Sequence, residues 1–356
     1  MENKHIVWFL GSNSEHGFHS LYDGFCSSAG DFLRVIKAGP GTGKSSFMRT
    51  IGRAAEEAGH AVEYIVCSGD PDSLDGIYIP DLHIGYADGT APHILDPEVF
   101  GADGDYLNIG EHCATGGAYA RGEELRSLTD GYRAFYRRAY ELLAAAAKVS
   151  PSLTLAYASE EARASVRARA SGVAVRELPR SRPAAGGGVT RRFLGGLTCR
   201  GRVMLGDTLE QLCPKLFLLD NRLGLGFEFT AEIARQAEDR HIRVVLCPHW
   251  LNPERLEAVL CPELGVGWAV IDPLARYPAQ HRCLHLDRMA GTEWLNSVRA
   301  QLREDERLEE RLLNRAGQCL AGAKAEHDRL EAVYHPFVDF DSLTRAAKTE
   351  IRRIGL

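Results

Sequence analysis

The sequence lacks the features that would place it among secreted or membrane-spanning proteins. Its nine cysteines are scattered, with no C-x-x-C pair, and this odd number predicts reduced thiols rather than a disulfide framework. No apolar run approaches the length of a membrane span. The apolar stretch from Ile6 to Leu10 is too short for a secretory signal. We therefore expect a cytoplasmic protein with no membrane partner.

An excess of positive charge is also missing. The chain carries 42 Lys and Arg against 48 Asp and Glu, a net charge of -6, so nucleic acid is not an expected partner. A compact zinc-ligand pattern is lacking as well, although Cys247, His249 and Cys261 keep a zinc site open as an alternative. With 356 residues, 45% hydrophobic and 25% charged, the composition is typical of a soluble globular protein with room for two domains.

The most informative stretch that is present runs from Phe32 to Met48. The apolar run Phe32–Ile36 predicts a buried strand, a glycine-rich loop follows at 38–43, and a helical pattern begins at Lys44. Strand, glycine loop and helix in this order predict a phosphate-binding loop, although Ala38 replaces the first glycine of the G-x-x-x-x-G-K-[ST] pattern. The predicted nucleotide contacts are Gly39, Pro40, Gly41, Thr42, Gly43, Lys44, Ser45 and Ser46.

Two side chains of this stretch have specific predicted roles. Lys44 is expected to reach the β- and γ-phosphates of a nucleoside triphosphate, and the Ser45 hydroxyl is expected to bind Mg²⁺. A second magnesium ligand should be a carboxylate that follows an apolar strand. Asp88 is the favoured candidate, and Asp96 and Asp70 remain alternatives. ATP and Mg²⁺ are therefore the expected ligands.

The remaining catalytic groups cannot be assigned from spacing. His93 could orient water or contact phosphate, but a lone histidine is more often a structural loop residue. The attacking water could be oriented by Asp70, Asp72 or Glu111. A charge-stabilising arginine could be Arg137, Arg138 or an arginine of the second half of the chain, if the two halves pack face to face.

An internal repeat organises the whole chain. Seventeen positions from Asp70 to Tyr86 match the stretch from Asn252 to Trp268 without a gap, in proline, charge, apolar and aromatic character. Shorter matches, such as Phe9-Leu10-Gly11 with Phe193-Leu194-Gly195, occur in the same order. These matches predict a tandem duplication of a unit of about 165 residues.

The duplication suggests domain boundaries. The first domain is predicted at residues 1–177, a Pro-, Gly- and Arg-rich linker at 178–192, and the second domain at 193–356. Each copy should end in a helical hairpin that packs the copies together or binds a protein partner. A basic run before the linker, Arg163, Arg167, Arg169 and Arg176, is interpreted as a solvated helix face, with an anion-contacting lid or a nucleic-acid patch as alternatives.

The second copy has lost the phosphate-binding residues. Its equivalent stretch, residues 220–230, has no lysine, and the lysine position holds Phe227 or Glu228, depending on the register. A carboxylate would repel a triphosphate, and a phenyl ring cannot donate a hydrogen bond to it. The same register places Val270 opposite Asp88. We therefore expect one active and one degenerate nucleotide site.

The combination of these motifs resembles a known protein family. The stretches Lys37–Gly52, Cys67–Leu82, Asp88–Pro97 and Leu107–Glu111, together with the duplication, are similar to those of bacterial P-loop ATPases that contain two P-loop copies per chain and are common in spore-forming bacteria. The resemblance covers nearly the whole chain and implies an ATPase. Family members carry an intact loop in both copies, from which this sequence departs at Arg222–Glu228.

Together, these features predict an α/β fold with two P-loop NTPase cores. Each core should have a parallel sheet with helices on both faces and a C-terminal helical extension. The expected function is a Mg²⁺-dependent ATPase that acts as a nucleotide-driven switch through Lys44 and Asp88 of the first copy. The alternatives are a phosphotransferase with a small-molecule acceptor near residues 90–93, and a nucleotide-responsive scaffold with little hydrolysis.

Overall fold

Two six-stranded sheets form the framework of the protein. The computed structural model describes residues 5–91, 95–180, 188–277 and 281–356, and within them the fold is mixed α/β. The strands of the first half are β1 (Ile6–Trp8), β2 (Gly11–Ser14), β3 (Gly17–Ser20), β4 (Phe32–Lys37), β5 (Glu63–Val66), β6 (Leu74–Ile79), β7 (Ile84–Asp88) and β8 (Gly104–Asn108). Those of the second half are β9 (Val189–Arg191), β10 (Gly195–Thr198), β11 (Gly201–Met204), β12 (Lys215–Leu219), β13 (Val244–Pro248), β14 (Leu256–Cys261), β15 (Val266–Val270) and β16 (His281–Leu284).

The first sheet is mixed, with the order β1-β5-β6-β7-β4-β8. β4 runs parallel to β7 and β8, and β1 runs parallel to β5, but β6 is antiparallel to both of its neighbours. The prediction of parallel sheets was therefore wrong for β6. Residues 67–73 join β5 to β6 and residues 80–83 join β6 to β7. Connections this short cannot make the crossover that a parallel pairing requires.

The second sheet repeats this arrangement strand for strand. Its order is β9-β13-β14-β15-β12-β16, and each pairing has the same direction as its counterpart in the first sheet. The registers also agree, because Asp88 pairs with Ile36 at the end of β7, and Val270 pairs with Leu219 at the end of β15. The two sheets thus have one common topology. Short antiparallel hairpins, β2–β3 and β10–β11, follow the first strand of each half.

The two sheets share one hydrophobic core. Leu33 and Val35 of β4 lie in the same buried cluster as Leu216 and Leu218 of β12. The alternate residues of each strand point to the opposite face. There, Ile36 packs with helix α1 (Lys44–Glu57). Each sheet therefore has a long helix on one face and the other sheet across the shared core, to which the short helix Gly206–Leu212 adds Leu209. The prediction that helices cover both faces of each sheet was therefore wrong.

The remaining helices connect the halves. They are α2 (Thr115–Ala120), α3 (Gly122–Val149), α4 (Pro151–Thr154), α5 (Glu160–Glu177), α6 (Gly206–Leu212), α7 (Leu225–Glu238), α8 (Thr292–Tyr334) and α9 (Phe340–Arg353). Among the described elements, the most extensive packing is between α3 of the first half and α8 of the second. Their facing residues include Leu128, Leu142 and Leu143 of α3 with Leu320, Leu330 and Val333 of α8.

The last helix of each half packs on the other half. α5 lies on α7, whereas α9 lies on α1. Val166 and Ala170 of α5 are completely buried in the core beneath α7, and Leu343 of α9 is buried among residues of α1. The predicted hairpin within each copy is therefore wrong, because α5 and α9 pack on helices of the opposite half, whereas the alternative that the terminal helices pack the copies together agrees with these contacts. The apolar residues of these helices match the helix face of the opposite half, and sequence periodicity alone does not identify a helix's partner.

Part of the predicted linker is a strand. Val189–Arg191 forms β9, the edge strand of the second sheet, while residues 181–187 of the linker lie outside the described residues. Nearby, Phe9 and Phe193 exchange two backbone hydrogen bonds of 3.1 and 2.9 Å, which joins the halves at matching positions of the repeat. None of the described helices combines the length and the apolar character that a membrane span requires.

Candidate functional site

The glycine loop links β4 to α1 in the way its sequence predicts. We call residues 38–43 the first loop. Gly41 and Gly43 have φ values of +67° and +88°, a conformation that favours glycine, and Gly43 is the N-terminal cap of α1. Because Lys44 is the first helical residue, the loop delivers it and the helix amides to the carboxyl edge of the first sheet. Anion binding is favoured at such a helix terminus.

Lys44 and Asp88 meet at this edge. The Lys44 ammonium donates to the carbonyl oxygens of Gly39 and Ala38 at 2.9 and 3.3 Å, and its Nζ lies 3.5 Å from Asp88 Oδ2. Both side chains are only 12% exposed. The meeting follows from the topology, because β4 and β7 are adjacent parallel strands whose ends lie together. The loop thus contains a partly buried cation next to a carboxylate.

The other two candidate carboxylates lie elsewhere. Asp96 is 57% exposed and pairs with Lys37 at 3.5 Å. Asp70 accepts the backbone N–H of Asp72 within its own turn and lies 3.4 Å from Lys324. Asp88 is the candidate that the structure brings to Lys44. Its Oδ1 accepts both the N–H and the hydroxyl of Thr90, at 2.9 and 2.6 Å, which fixes the carboxylate orientation.

The hydroxyl groups of the loop have distinct contacts. Thr42 Oγ1 donates to Gly39 O at 2.7 Å and so closes the loop on itself. Ser45 Oγ accepts the backbone N–H of Leu74 at 2.9 Å, and this leaves the hydroxyl proton and a lone pair for another partner. Ser46 is exposed, and Pro40 is half-buried at the tip of the loop. Among the described residues, none accepts a hydrogen bond from the backbone N–H groups of Gly43, Lys44 and Ser45.

One contact was missed by the sequence analysis. Glu331, near the end of α8, accepts the N–H of Gly41 through Oε1 at 3.2 Å. Leu343 and Phe340 of α9 lie against Gly43, which leaves no space for a side chain there. Because these residues belong to the second half, only the packing of α8 on α3 and of α9 on α1 brings them to the first loop, and no local pattern could have indicated this.

The other residues considered for catalysis do not converge on Lys44. Glu111 is 69% exposed and lies 3.8 Å from His112, and Asp72 forms an ion pair with Arg200 of the second half. Arg137 and Arg138 are exposed on α3. His93, Pro92 and Ile94 lie outside the described residues, so the predicted role of His93 is not addressed.

The basic run is not a lid over the first loop. Arg163 and Arg167 of α5 both bind the carboxylate of Glu228 in α7, at 3.1 and 2.6 Å. That carboxylate is only 10% exposed. The interpretation of this run as a solvated face was therefore wrong for these two arginines, which join α5 to the second half by charge. An anion-contacting lid over Lys44 is likewise contradicted by their position.

The second loop, residues 220–224, has a backbone frame similar to that of the first loop but different side chains. Gly224 caps α7 with φ +81°, as Gly43 caps α1. The following residue, which corresponds to Lys44, is Leu225, and its side chain is completely buried. The prediction that Phe227 or Glu228 occupies the lysine position was therefore wrong. Counted from the register-matched strand residues Ile36 and Leu219, the glycine cap follows seven residues later in the first half and five residues later in the second. The second half therefore lacks two residues here, a gap that sequence comparison without the cap position does not reveal.

Side chains of the second half satisfy the amides of the second loop. Asp287 accepts the N–H groups of Arg222 and Leu223 at 2.9 and 3.2 Å, and Asn221 Oδ1 accepts those of Gly226 and Phe227 at 2.8 and 3.3 Å. Burial, together with the neighbouring Asp220, raises the pKa of Asp287 to about 6. An incoming phosphate would find these donors already bound.

The zinc alternative is not supported. Burial lowers the pKa of His249 to about 3 and raises that of Cys247. Within the ranges that the structure describes, the ligand atoms of Cys247, His249 and Cys261 do not come together, and the one group with metal-ligand spacing is His327, Asp328 and Glu331 on α8.

Comparisons of the chain with protein-family models, curated proteins and solved structures find no match.

Proposed function

We propose that the protein binds Mg²⁺ and ATP at the first loop and hydrolyses ATP slowly as a nucleotide-driven switch. The observation that carries this proposal is the position of the Lys44 ammonium. It lies at the start of α1, 2.9 Å from Gly39 O and 3.5 Å from Asp88 Oδ2, beside helix amides for which the described part of the chain supplies no acceptor. A cation and open amides are the donors that a triphosphate requires.

The residues present fit the proposed ligands. Lys44 and the backbone N–H groups of Gly39, Gly41–Gly43 and Ser45–Ser46 would hold the phosphates. Pro40, which has no N–H, and the Thr42 side chain would shape the loop around them. The Ser45 hydroxyl and the Asp88 carboxylate offer oxygen atoms, the donors that Mg²⁺ prefers. When bound, the ion would neutralise charge on the phosphates. Lys44 would do the same from the opposite side, so positioning and electrostatics carry the reaction.

We further propose that the two halves are duplicated P-loop cores related to the bacterial two-copy ATPases. The common strand order, the matching Gly43 and Gly224 caps, and the pairing of Phe9 with Phe193 support a duplication. The domains then follow the predicted limits, residues 1–177 and 193–356, except that the second begins at β9. Nine free cysteines are consistent with a reducing, cytoplasmic location.

A nucleotide-responsive scaffold is the second candidate function. It is favoured by the α3–α8 pair, which joins the halves and could present a surface to a protein partner. It is also favoured because, among the described residues, no arginine is placed at Lys44. A phosphotransferase is less well supported, since the arginines proposed as its lid bind Glu228 instead.

The direct experiment measures Mg²⁺-dependent ATP binding and phosphate release for the parent protein, Lys44→Ala and Arg222→Ala. Arg222 is the matched control, because it is a half-exposed cation of the second loop. We expect Lys44→Ala to lower turnover by about a hundredfold or more, and Arg222→Ala to leave it unchanged. Binding without turnover in the parent would favour the scaffold. Absence of nucleotide binding by the parent would refute both.

A further inference from the structure

Helix α8 passes directly over the first loop at Glu331. The backbone there is so close that a Cβ on Gly41 would lie 2.9–3.1 Å from Glu331 Cβ, Cα and O. The side chain turns toward the loop, where Oε1 accepts the Gly41 N–H at 3.2 Å. An N–H to carboxylate hydrogen bond is charge-assisted and therefore stronger than a neutral one. A carboxylate thus occupies a donor that a phosphate oxygen would use.

Residues before and after Glu331 also make contacts around the first loop. Two helical turns earlier, Lys324 lies 3.4 Å from Asp70, in the turn that precedes Leu74. Leu74 donates its N–H to Ser45. Beyond Glu331, Leu343 packs on Gly43, and the chain ends in α9 on α1. We call residues 324–350 the strap, because they cross the first loop and are anchored on either side of it.

The far end of the strap is held by a buried carboxylate. Glu350 of α9 is 5% exposed and accepts hydrogen bonds from Tyr86 at 2.8 Å and from Arg34 at 3.4 Å. Arg34 lies in β4, the strand that leads into the first loop, and Tyr86 lies in β7, the strand that ends at Asp88. A shift of the strap is thereby coupled to the strands that carry Lys44 and Asp88.

In the second half, the Asp287 carboxylate is an example of a side chain that is firmly bound to the backbone N–H groups of a loop. Asp287 is 9% exposed and holds two amides of its own loop at once. Glu331 holds a single amide, and its side chain is 32% exposed, so it can leave for solvent at small cost. His327, 3.7 Å away on the preceding turn, offers it an alternative partner when protonated. The two carboxylates differ in how easily a phosphate could displace them.

We propose that Glu331 is a displaceable plug of the first loop and that nucleotide binding releases the strap. This inference rests on the proposed function. A triphosphate and a carboxylate cannot share the Gly41 amide, because like charges at this distance repel. Nucleotide must therefore displace the Glu331 carboxylate. Because the Glu331 backbone also lies against Gly41, phosphates bound to this loop would push the end of α8 away as well. Since α8 packs along α3 over its length, the movement would reach the long helical pair that joins the halves.

The first test measures the Kd of Mg²⁺–ATP by titration calorimetry for the parent, Glu331→Gln and Glu331→Ala. Glu310→Gln is the matched control, because it removes one charge from an exposed position of the same helix. We expect about tenfold tighter binding for Glu331→Ala, a smaller gain for Glu331→Gln, and no change for the control. Unchanged or weaker binding by both Glu331 variants, with a parent that binds, overturns the plug and leaves the proposed function intact. No binding by any variant overturns both.

The second test follows the strap directly by amide hydrogen exchange. In the parent, Mg²⁺–ATP should accelerate exchange in residues 327–334 and 340–353 by about tenfold, because release of the strap exposes these amides more often. Glu331→Ala should show part of this acceleration without nucleotide, which separates release of the strap from direct effects of ATP. Slower or unchanged exchange in a parent that binds ATP contradicts the release of the strap.

Discussion

The two loops of this protein share a backbone frame and differ in what fills it. Each follows the second-from-edge strand of its sheet, each ends in a glycine with positive φ, and each opens a 14-residue helix. The first loop presents Lys44 and open amides. The second presents a buried Leu225 and amides that its own side chains have satisfied. The comparison teaches that one strand–loop–helix backbone accommodates a lysine with open amides in one half and a buried leucine with bound amides in the other.

The reason is that the backbone has its own requirements. Buried N–H groups must find acceptors, whether from a ligand, from water or from the protein. In the second loop, Asp287 and Asn221 supply acceptors permanently, so the loop is complete without a ligand. In the first loop, the Gly41 N–H is bound by a carboxylate from a distant helix, whereas the described residues provide no acceptor for the N–H groups of Gly43, Lys44 and Ser45. The first loop therefore keeps N–H groups open to water or to a ligand, and the second has fewer of them.

The largest expected effect comes from placing a lysine at position 225 of the second half, which corresponds to Lys44. Leu225→Lys places an ammonium where the leucine side chain is completely buried and where neighbouring amides are already bound. We expect a loss of about 4 kcal/mol in the free energy of unfolding, measured by urea denaturation, because the charge has no partner. Leu225→Met is the control and should cost less than about 1.5 kcal/mol. A stable Leu225→Lys protein that gains a second nucleotide would show that the second loop is degenerate in one residue only.

The next effect comes from giving the first site the residue found in the second. Asp88→Val introduces the side chain that Val270 has at the equivalent register position. We expect Mg²⁺-dependent turnover to fall about a hundredfold, since the carboxylate proposed as a ligand of the ion is removed. Asp96→Asn is the control, because Asp96 is exposed and pairs with Lys37. A larger loss for Asp96→Asn than for Asp88→Val would reverse the assignment of the metal ligand.

The local features of the fold could be predicted from the sequence, and the pairing of distant elements could not. The strand at Phe32–Lys37, the loop and the start of α1 at Lys44 lie where the pattern placed them, because their determinants are adjacent in sequence. The register that set Val270 opposite Asp88 was confirmed, because 17 gapless positions fix it. The sequence also indicated that Asp88 follows a strand, but only the strand order brings it to Lys44.

The wrong predictions mostly concern elements that could pack against more than one similar partner. The apolar stripes of α5 and α9 fit a helix–sheet layer in either half, and nothing local selects the opposite one. The antiparallel direction of β6 depends on the length of its connections, which the strand pattern alone does not weigh. Glu331 gave no indication of its contact, because an exposed glutamate on a charged helix looks like any other. Leu225 was missed because two residues are deleted from the second loop.

The pH dependence of stability offers a second test of the second loop. Burial raises the pKa of Asp287 from 3.8 to about 6, so the native state holds its proton more tightly than the unfolded state. The stability that this group contributes is therefore lost as pH rises from about 4 to about 6. Relative to Asp287→Asn, which does not titrate, the parent should lose about 2 kcal/mol across this window in urea denaturation. Glu310→Gln should parallel the parent. A constant difference between the parent and Asp287→Asn would mean that the carboxylate is ionised throughout the window.

The smallest expected effect concerns α5, the helix of the first half that packs on α7 of the second half. Glu228 lies 10% exposed between Arg163 and Arg167, which are about one-third exposed. Glu228→Gln keeps the shape but removes the charge that both arginines share. We expect a cost of about 1 kcal/mol in the free energy of unfolding, because solvent screens the arginine side of the pairs.

Glu160→Gln is the matched control for this exchange, because Glu160 binds the same two arginines from an exposed position, and it should cause no measurable change. The cost of Glu228→Gln should shrink as salt is raised, whereas a packing defect would not respond to salt. An equal cost for both variants would mean that the arginines hold α5 to its own surface rather than to α7. In that case, the packing of α5 on the opposite half would rest on apolar contacts alone.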